Sequence, residues 1–198
     1  MNTPTHVLLA AAIFARPHAR ARSVAAILGA VTPDLSIYAL WLWSKVAGIP
    51  ETQVWDEMFH ASPWRDLADA GHSIPLYLAV LLAVFLSARG PDDVPWTGRA
   101  MAVFAWAALL HIATDMPLHV DDAHAHFWPF SDWRFVSPVS YWNPDYYGHI
   151  WAPFEGAMAL ALIVVLWLRF QPRWVRAALV LAALSYVAVP VYFSVMHG

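Results

Sequence analysis

Apolar residues gather in five long runs separated by polar, proline-rich stretches. Val24 to Trp43 is apolar apart from Thr32, Asp34 and Ser36, and Ile74 to Ala88 is short and uncharged. Ala100 to Ala113 is apolar up to His111; Gly156 to Leu168 is apolar, with Ile150 to Phe154 extending it upstream through Pro153; Ala177 to Met196 carries no charge. A spanning helix needs about 20 mostly apolar residues, because the hydrocarbon core of a bilayer is about 30 Å thick. Two of the runs meet that outright and three reach it with their flanks. In lipid every backbone N–H and C=O must be satisfied within the segment, so the runs predict helices. A sixth segment, His6 to Ala15, predicts a short helix packed in or beside the bundle, with Thr3 as its N-cap and Pro4 at its first position. Its cations Arg16, Arg20 and Arg22 follow the apolar stretch, the reverse of a signal peptide. The expected fold is all-α: a polytopic transmembrane bundle of five spanning helices plus a short N-terminal helix, in one domain over residues 1–198.

Composition agrees. Of 198 residues, 60% are hydrophobic and 13% charged, against about 25% charged in a soluble domain. Acids outnumber Lys and Arg by 14 to 11, which argues against a nucleic-acid-binding surface. The absence of Cys excludes disulfides, thiolate metal sites and cysteine nucleophiles. Of the 11 Lys and Arg, Arg16, Arg20, Arg22, Arg89, Arg99, Arg169, Arg173 and Arg176 fall in alternate loops. By the positive-inside rule that side is cytoplasmic. Both termini and the acidic, aromatic loops Gly48–Gly71 and Pro117–His149 then face outside.

Ionisable groups follow that map. His6, His72, His111, Asp115, His119, His124, His126, His149 and Glu155 all fall in the outer half or the outer loops, although helix direction alternates along the chain. Asp34 lies about halfway along the second segment, beside Pro33. An intramembrane carboxylate costs about 2.5–3.5 kcal/mol on insertion scales, so it needs a cation, a metal or a cage of hydrogen bonds, or else is protonated. His111 and Asp115 stand four apart on one helical face and can grip one ion, or only lock helices together. Imidazole and carboxylate without thiolate suit zinc, manganese or iron. The loop from Asp121 to Tyr147 is long for an unstructured connection. Trp128, Trp133, Tyr141 and Trp142 suit interfacial anchoring. Arg134, the one cation of that loop, can hold a phosphate or pair with Asp132 or Asp145.

Thr5-His6, Pro33-Asp34, His72-Ser73, His111-x-x-x-Asp115 and the Trp-Pro-Phe-Ser stretch at Trp128–Ser131, in that order, resemble the LexA-regulated, membrane-bound metal-dependent hydrolases. That family is distantly similar to zinc-dependent phospholipase C and the S1/P1 nucleases, all-helical enzymes with a cluster of zinc ions. The resemblance implies a phospholipase C-like helical core and a divalent metal centre, zinc foremost, of two or three ions. It implies metal ligands among His6, Asp34, His72, His111, Asp115, His119, His126 and His149, with Asp34 bridging. Asp34, Glu155 and Arg134 are the expected catalytic groups. The implied reaction is hydrolysis of a phosphate ester in a lipid or lipid-linked substrate, at the outer face of a bacterial inner membrane. The rival expectation is an ion- or proton-coupled transporter using Asp34, His111 and Asp115, which needs a polar path to both faces.

Overall fold

A computed structural model describes residues 1–88 and 95–197, with side chains up to residue 188. Arg89 of the charge pattern therefore lies outside the described residues. The chain is 74% helix, with no strand among the described residues. The helices are α1 Thr3–Phe14, α2 Arg20–Val31, α3 Leu35–Ala47, α4 Glu51–Gln53, α5 Trp64–Gly71, α6 Ile74–Ser87, α7 Trp96–Asp115, α8 Gly148–Arg169 and α9 Arg173–His197. A 3-10 turn at Thr32–Asp34 joins α2 to α3, and α4 runs into a π-helical turn at Val54–Met58.

Three stretches are long and apolar enough to cross a bilayer: Arg20–Ala47, Trp96–Leu118 and Gly148–Arg169. The five spans expected from the sequence are not all present in that form. The run from Ile74 gives α6 of only 14 residues, about 21 Å at 1.5 Å per residue. It reaches spanning length only together with α5, from which it is bent by 45°. The count covers described residues only, which leaves out part of α9.

α1 lies against α2, α7 and α8; α6 flanks α7, and α9 flanks α8. The central contacts use small residues. Ala10, Ala30 and Ala107 meet where α1, α2 and α7 come together. Gly29 is closer still: a Cβ there would stand 2.1 Å from Phe104 O. Helices in lipid gain no hydrophobic energy by associating, so close backbone approach across small side chains is what holds them. Larger side chains face outward, as with Phe85 (74% exposed) and Leu168 (72%), which suits a lipid-facing belt.

The N-terminal turn differs from the expectation in one respect. Asn2 occupies the cap position of α1, without a side-chain bond. Thr3 lies inside the helix, and its hydroxyl donates to Asp34 Oδ2 instead. The loop after α7 has little regular structure, yet it is pinned to the helix ends. Ser137 N donates to His119 O (2.9 Å), Tyr141 N to Leu118 O (3.1 Å) and Ile74 N to His126 O (2.9 Å). Ser73 Oγ donates to Trp128 O at 2.5 Å. The loop thereby covers one end of the bundle.

Candidate metal centre

Under that loop, α1, the α2–α3 break, the α5–α6 corner and α7 bring their imidazoles and carboxylates together. Pro33 sets the break: it carries no N–H for the preceding turn, and the turn tightens to 3-10 around Asp34. Just before that turn, Ala30 O at the end of α2 accepts a hydrogen bond from His111 Nδ1 at 2.7 Å. His72 Nδ1 likewise donates to Ala68 O at 2.9 Å. These two bonds fix both rings with hydrogen on Nδ1 and a lone pair on Nε2, the arrangement that outer partners impose on metal-binding histidines.

Both Nε2 atoms are buried and have no hydrogen-bond partner. Each faces the same two carboxylate oxygens. His111 Nε2 stands 3.5 Å from Asp34 Oδ1 and 3.9 Å from Asp115 Oδ2. His72 Nε2 stands 3.8 Å from each of those atoms. Lone pairs held against carboxylate oxygens repel unless a cation lies among them. Two ligands on one tetrahedral ion, with bonds near 2.0–2.1 Å, lie roughly 3.3 Å apart. The spacing is slightly wider than that, and too long for hydrogen bonds. The donor set therefore fits a divalent cation.

Three overlapping triads have ligand atoms within 4.8 Å of one another: His6–His111–Asp115, Asp34–His72–His111 and His72–Asp115–His124. Every member is buried. The rings also stack in pairs, His6 on His111 at 3.6 Å and His72 on His124 at 3.7 Å between centroids. His6 is the best satisfied, with Nε2 3.1 Å from Asp115 Oδ1 and Nδ1 3.3 Å from Thr114 Oγ1. The chain's first amino group also meets Asp115 Oδ1.

Not every residue singled out in the sequence joins the triads. His119 sits between Asp115 (2.7 Å from Nε2) and Asp122 (2.9 Å from Nδ1). Those contacts are ion-pair distances without hydrogen-bond alignment. Burial disfavours the His119 imidazolium, but the two carboxylates outweigh it and raise its pKa to about 9. His126 is buried with neither ring nitrogen partnered, and burial pushes it down to about 4. His149 is exposed and bonds Pro144 O at 3.1 Å, outside the triads. Glu155 is buried; its Oε1 accepts from Thr5 Oγ1 (2.5 Å) and Asn2 N (2.7 Å), so it anchors the start of α1. Its Oε2 has no partner.

Sequence reasoning left His119, His124 and His126 as options in this loop and favoured His119 and His126; the structure places His124 in a triad. Burial, and His72 stacked on it, hold His124 well below its ordinary pKa, a neutral imidazole suited to ligation. Nothing in Asp-Asp-Ala-His-Ala-His separates the two histidines except which one faces His72. Asp69 was missed, although Arg65 and Asp69 one turn apart on α5, just before His72, were a readable signal.

Asp69 accounts for Arg134. The guanidinium donates to both Asp69 oxygens, at 2.7 and 2.6 Å, and to Ala123 O at 3.0 Å. Asp69 also accepts from Ala125 N at 2.9 Å, and Arg65 donates to Ala123 O. Neither Asp132 nor Asp145 is its partner in this clamp, which holds the loop segment carrying His124 and His126. Replacing Arg134 by alanine leaves Asp69, whose side chain is 3% exposed, with Arg65 at 3.8 Å as its nearest cation. Breaking a fully buried pair costs about 3–5 kcal/mol; with Arg134 28% exposed, about 2 kcal/mol is expected. Thermal melting should show Arg134→Ala well below wild type and Arg134→Lys between them. Equal melting of all three would remove the clamp from the account.

Fold and centre together define an all-helical membrane protein with a buried His/Asp cluster under an extended loop. The chain matches the family model described as YdjM inner membrane protein over residues 1–195, and it belongs to that family. This agrees with the LexA-regulated membrane family that the motifs resemble. No curated protein and no solved structure matches it.

Proposed function

We propose that this protein is a membrane-embedded metal-dependent hydrolase that cleaves a phosphate ester of a lipid or lipid-linked substrate at the outer face of the membrane, with a phospholipase C-like arrangement of ligands. The supporting observation is the pair of tautomer-fixed histidines, His72 and His111, whose free Nε2 atoms face Asp34 and Asp115 in a buried space. Divalent ions, zinc foremost, would lower the pKa of a coordinated water and draw charge from a phosphate oxygen. The chain's own residues supply the rest. Thr3 orients Asp34 through Oδ2, leaving Oδ1 for the cluster. Asp115 spreads its two oxygens over His6 on one side and His119 on the other. In the reaction water gives up one proton to solvent, its oxygen bonds to phosphorus, the P–O ester bond breaks, and the leaving alkoxide takes up a proton. His119, held between two carboxylates at the rim of a cavity of about 220 Å³ that Asp34 and Asp115 also line, is placed to give that proton.

The transporter reading has less support. Among the described residues, the buried ionisable side chains sit together at the loop-covered end of the helices, and none continues towards Arg16, Arg20 and Arg22 at the other end of α1 and α2.

The test is release of a water-soluble phosphate product from phospholipid vesicles carrying purified protein. Release should fall at least 100-fold with a chelator and return with zinc. In spheroplasts, a chelator that does not cross the membrane should suffice, since the centre faces outward. Release unaffected by chelation, or absent from a broad set of phospholipids with metal bound, defeats the hydrolase reading.

A further inference from the structure

A second, larger cavity opens beside the cluster. It is a groove of about 470 Å³ along α1, walled by α2 on one side and by α9 with the end of α8 on the other. Among the described residues, no charged side chain lines it, and Thr3, Ser23 and Tyr38 supply its hydroxyls. At one end it shares Thr3, Pro4 and Tyr38 with the cavity that Asp34, Asp115 and His119 line. Thr3 is the joint, forming groove wall on one side and hydrogen-bonding Asp34 on the other. The two cavities are therefore neighbours that share a wall, one apolar within the bundle and one lined by carboxylates and imidazoles.

We propose that this groove seats a single hydrocarbon chain of a phosphate-bearing membrane lipid, with the phosphate at the cluster. The proposal deepens the hydrolase reading by naming the substrate class, and it rests on that reading for the fate of the headgroup.

Size and polarity both select this occupant. α1 is 12 residues long, about 18 Å at the helical rise, which matches roughly fourteen carbons of an extended chain at about 1.3 Å per step. An amphiphile with one charged end also matches a groove that adjoins carboxylates and imidazoles at its Thr3 end, while at the other end Ser23 spends its hydroxyl on Arg16 O. A tail gains no hydrophobic energy by leaving the bilayer for this groove. What the groove supplies is position: a seated chain brings its phosphate to one depth and one orientation at the cluster.

The experiment uses purified protein in vesicles containing phosphatidic acid with a photoactivatable diazirine in one acyl chain, and peptide mapping of the cross-links. Labelling should concentrate on α1, α2 and the first half of α9. Ile27→Trp and Ala178→Phe fill the groove at positions that are already exposed (Ile27 42%), so folding is not at stake. Each should cut that labelling at least five-fold. Leu168→Phe, exposed outside the groove, should leave it unchanged. A diacylglycerol with the same tail and no phosphate should label the groove at least five-fold less. Competition by unlabelled farnesyl phosphate or by lysophosphatidic acid distinguishes a prenyl from an acyl chain, and competition by neither overturns the proposal. Cross-links spread evenly over the outer helix faces, or unchanged in the groove variants, also overturn it. Labelling needs no turnover: groove labelling without hydrolysis removes the hydrolase reading and keeps the lipid site, and hydrolysis without groove labelling does the reverse.

Discussion

If the cluster is the proposed metal centre, Asp34→Ala should hold less than one-tenth of a zinc ion per chain where wild type holds a stoichiometric amount, and any hydrolysis of vesicle phospholipid should fall at least 1,000-fold, about 4 kcal/mol of barrier. Asp34 Oδ1 is one of the two oxygens faced by both free imidazole nitrogens. Its removal leaves Asp115 alone to balance a cation between His72 and His111. Thr3→Val keeps the carboxylate but removes the hydroxyl that orients it, and outer partners of this kind are worth about 10–100-fold in affinity or activity. The same variant separates a metal ligand from a group that merely locks helices. Without metal, the wild-type carboxylate is buried against lone pairs, so its removal relieves repulsion. Metal-free Asp34→Ala should therefore melt no lower than metal-free wild type, and added zinc should raise the melting temperature of wild type only. If Asp34→Ala melts lower in the metal-free comparison and zinc shifts neither protein, Asp34 is a structural acid and the centre is not a metal site. Metal content by mass spectrometry completes the measurement.

Gly29→Ala is expected to be the most damaging single methyl in the protein. The added Cβ would stand 2.1 Å from Phe104 O and 2.9 Å from both Phe104 C and Ala107 Cβ. Two of these are backbone atoms of α7, so no rotamer change relieves the clash, and α2 and α7 must part by about an ångström. Overpacking of this kind costs about 1–3 kcal/mol and more where backbone is the obstacle. The effect reaches the centre, because α2 supplies Ala30 O, the acceptor that fixes His111 at 2.7 Å. Parting the helices breaks that bond and frees the ring. Gly29→Ala should lower the melting temperature by several degrees and weaken zinc binding at least ten-fold. Gly156→Ala, which would meet nothing within 4 Å, is the control and should change neither. A Gly29→Ala protein with wild-type melting and metal affinity would show that the α2–α7 approach is not tight.

The helices and the principal ligand candidates were legible in the sequence for one reason: in a long apolar run every charge is conspicuous, because it is costly there. Asp34, His111 and Asp115 stood out on that ground, as did Pro33 as a break and the stretch from Ala100 as a helix. Length was less legible. The run from Ile74 needed the bend at Gly71 and His72 to join it to α5, and that bend depends on a long-range contact. A Cβ on Gly71 would lie 2.6 Å from Pro33 O, 38 positions away in the chain.

What the chain determined alone was its helical, membrane-borne class and an inventory of imidazoles and carboxylates biased to one end. Tertiary structure decided which of them meet. It turned His124 towards His72 and left His149 outside, gave Arg134 to Asp69, moved Thr3 from helix cap to partner of Asp34, and assigned Glu155 to the start of α1. Apart from Glu155, which lies inside α8, those choices lie in loops and helix ends, where no period of 3.6 fixes the direction of a side chain. There the partner is set by which distant segment packs alongside, and no local pattern records that.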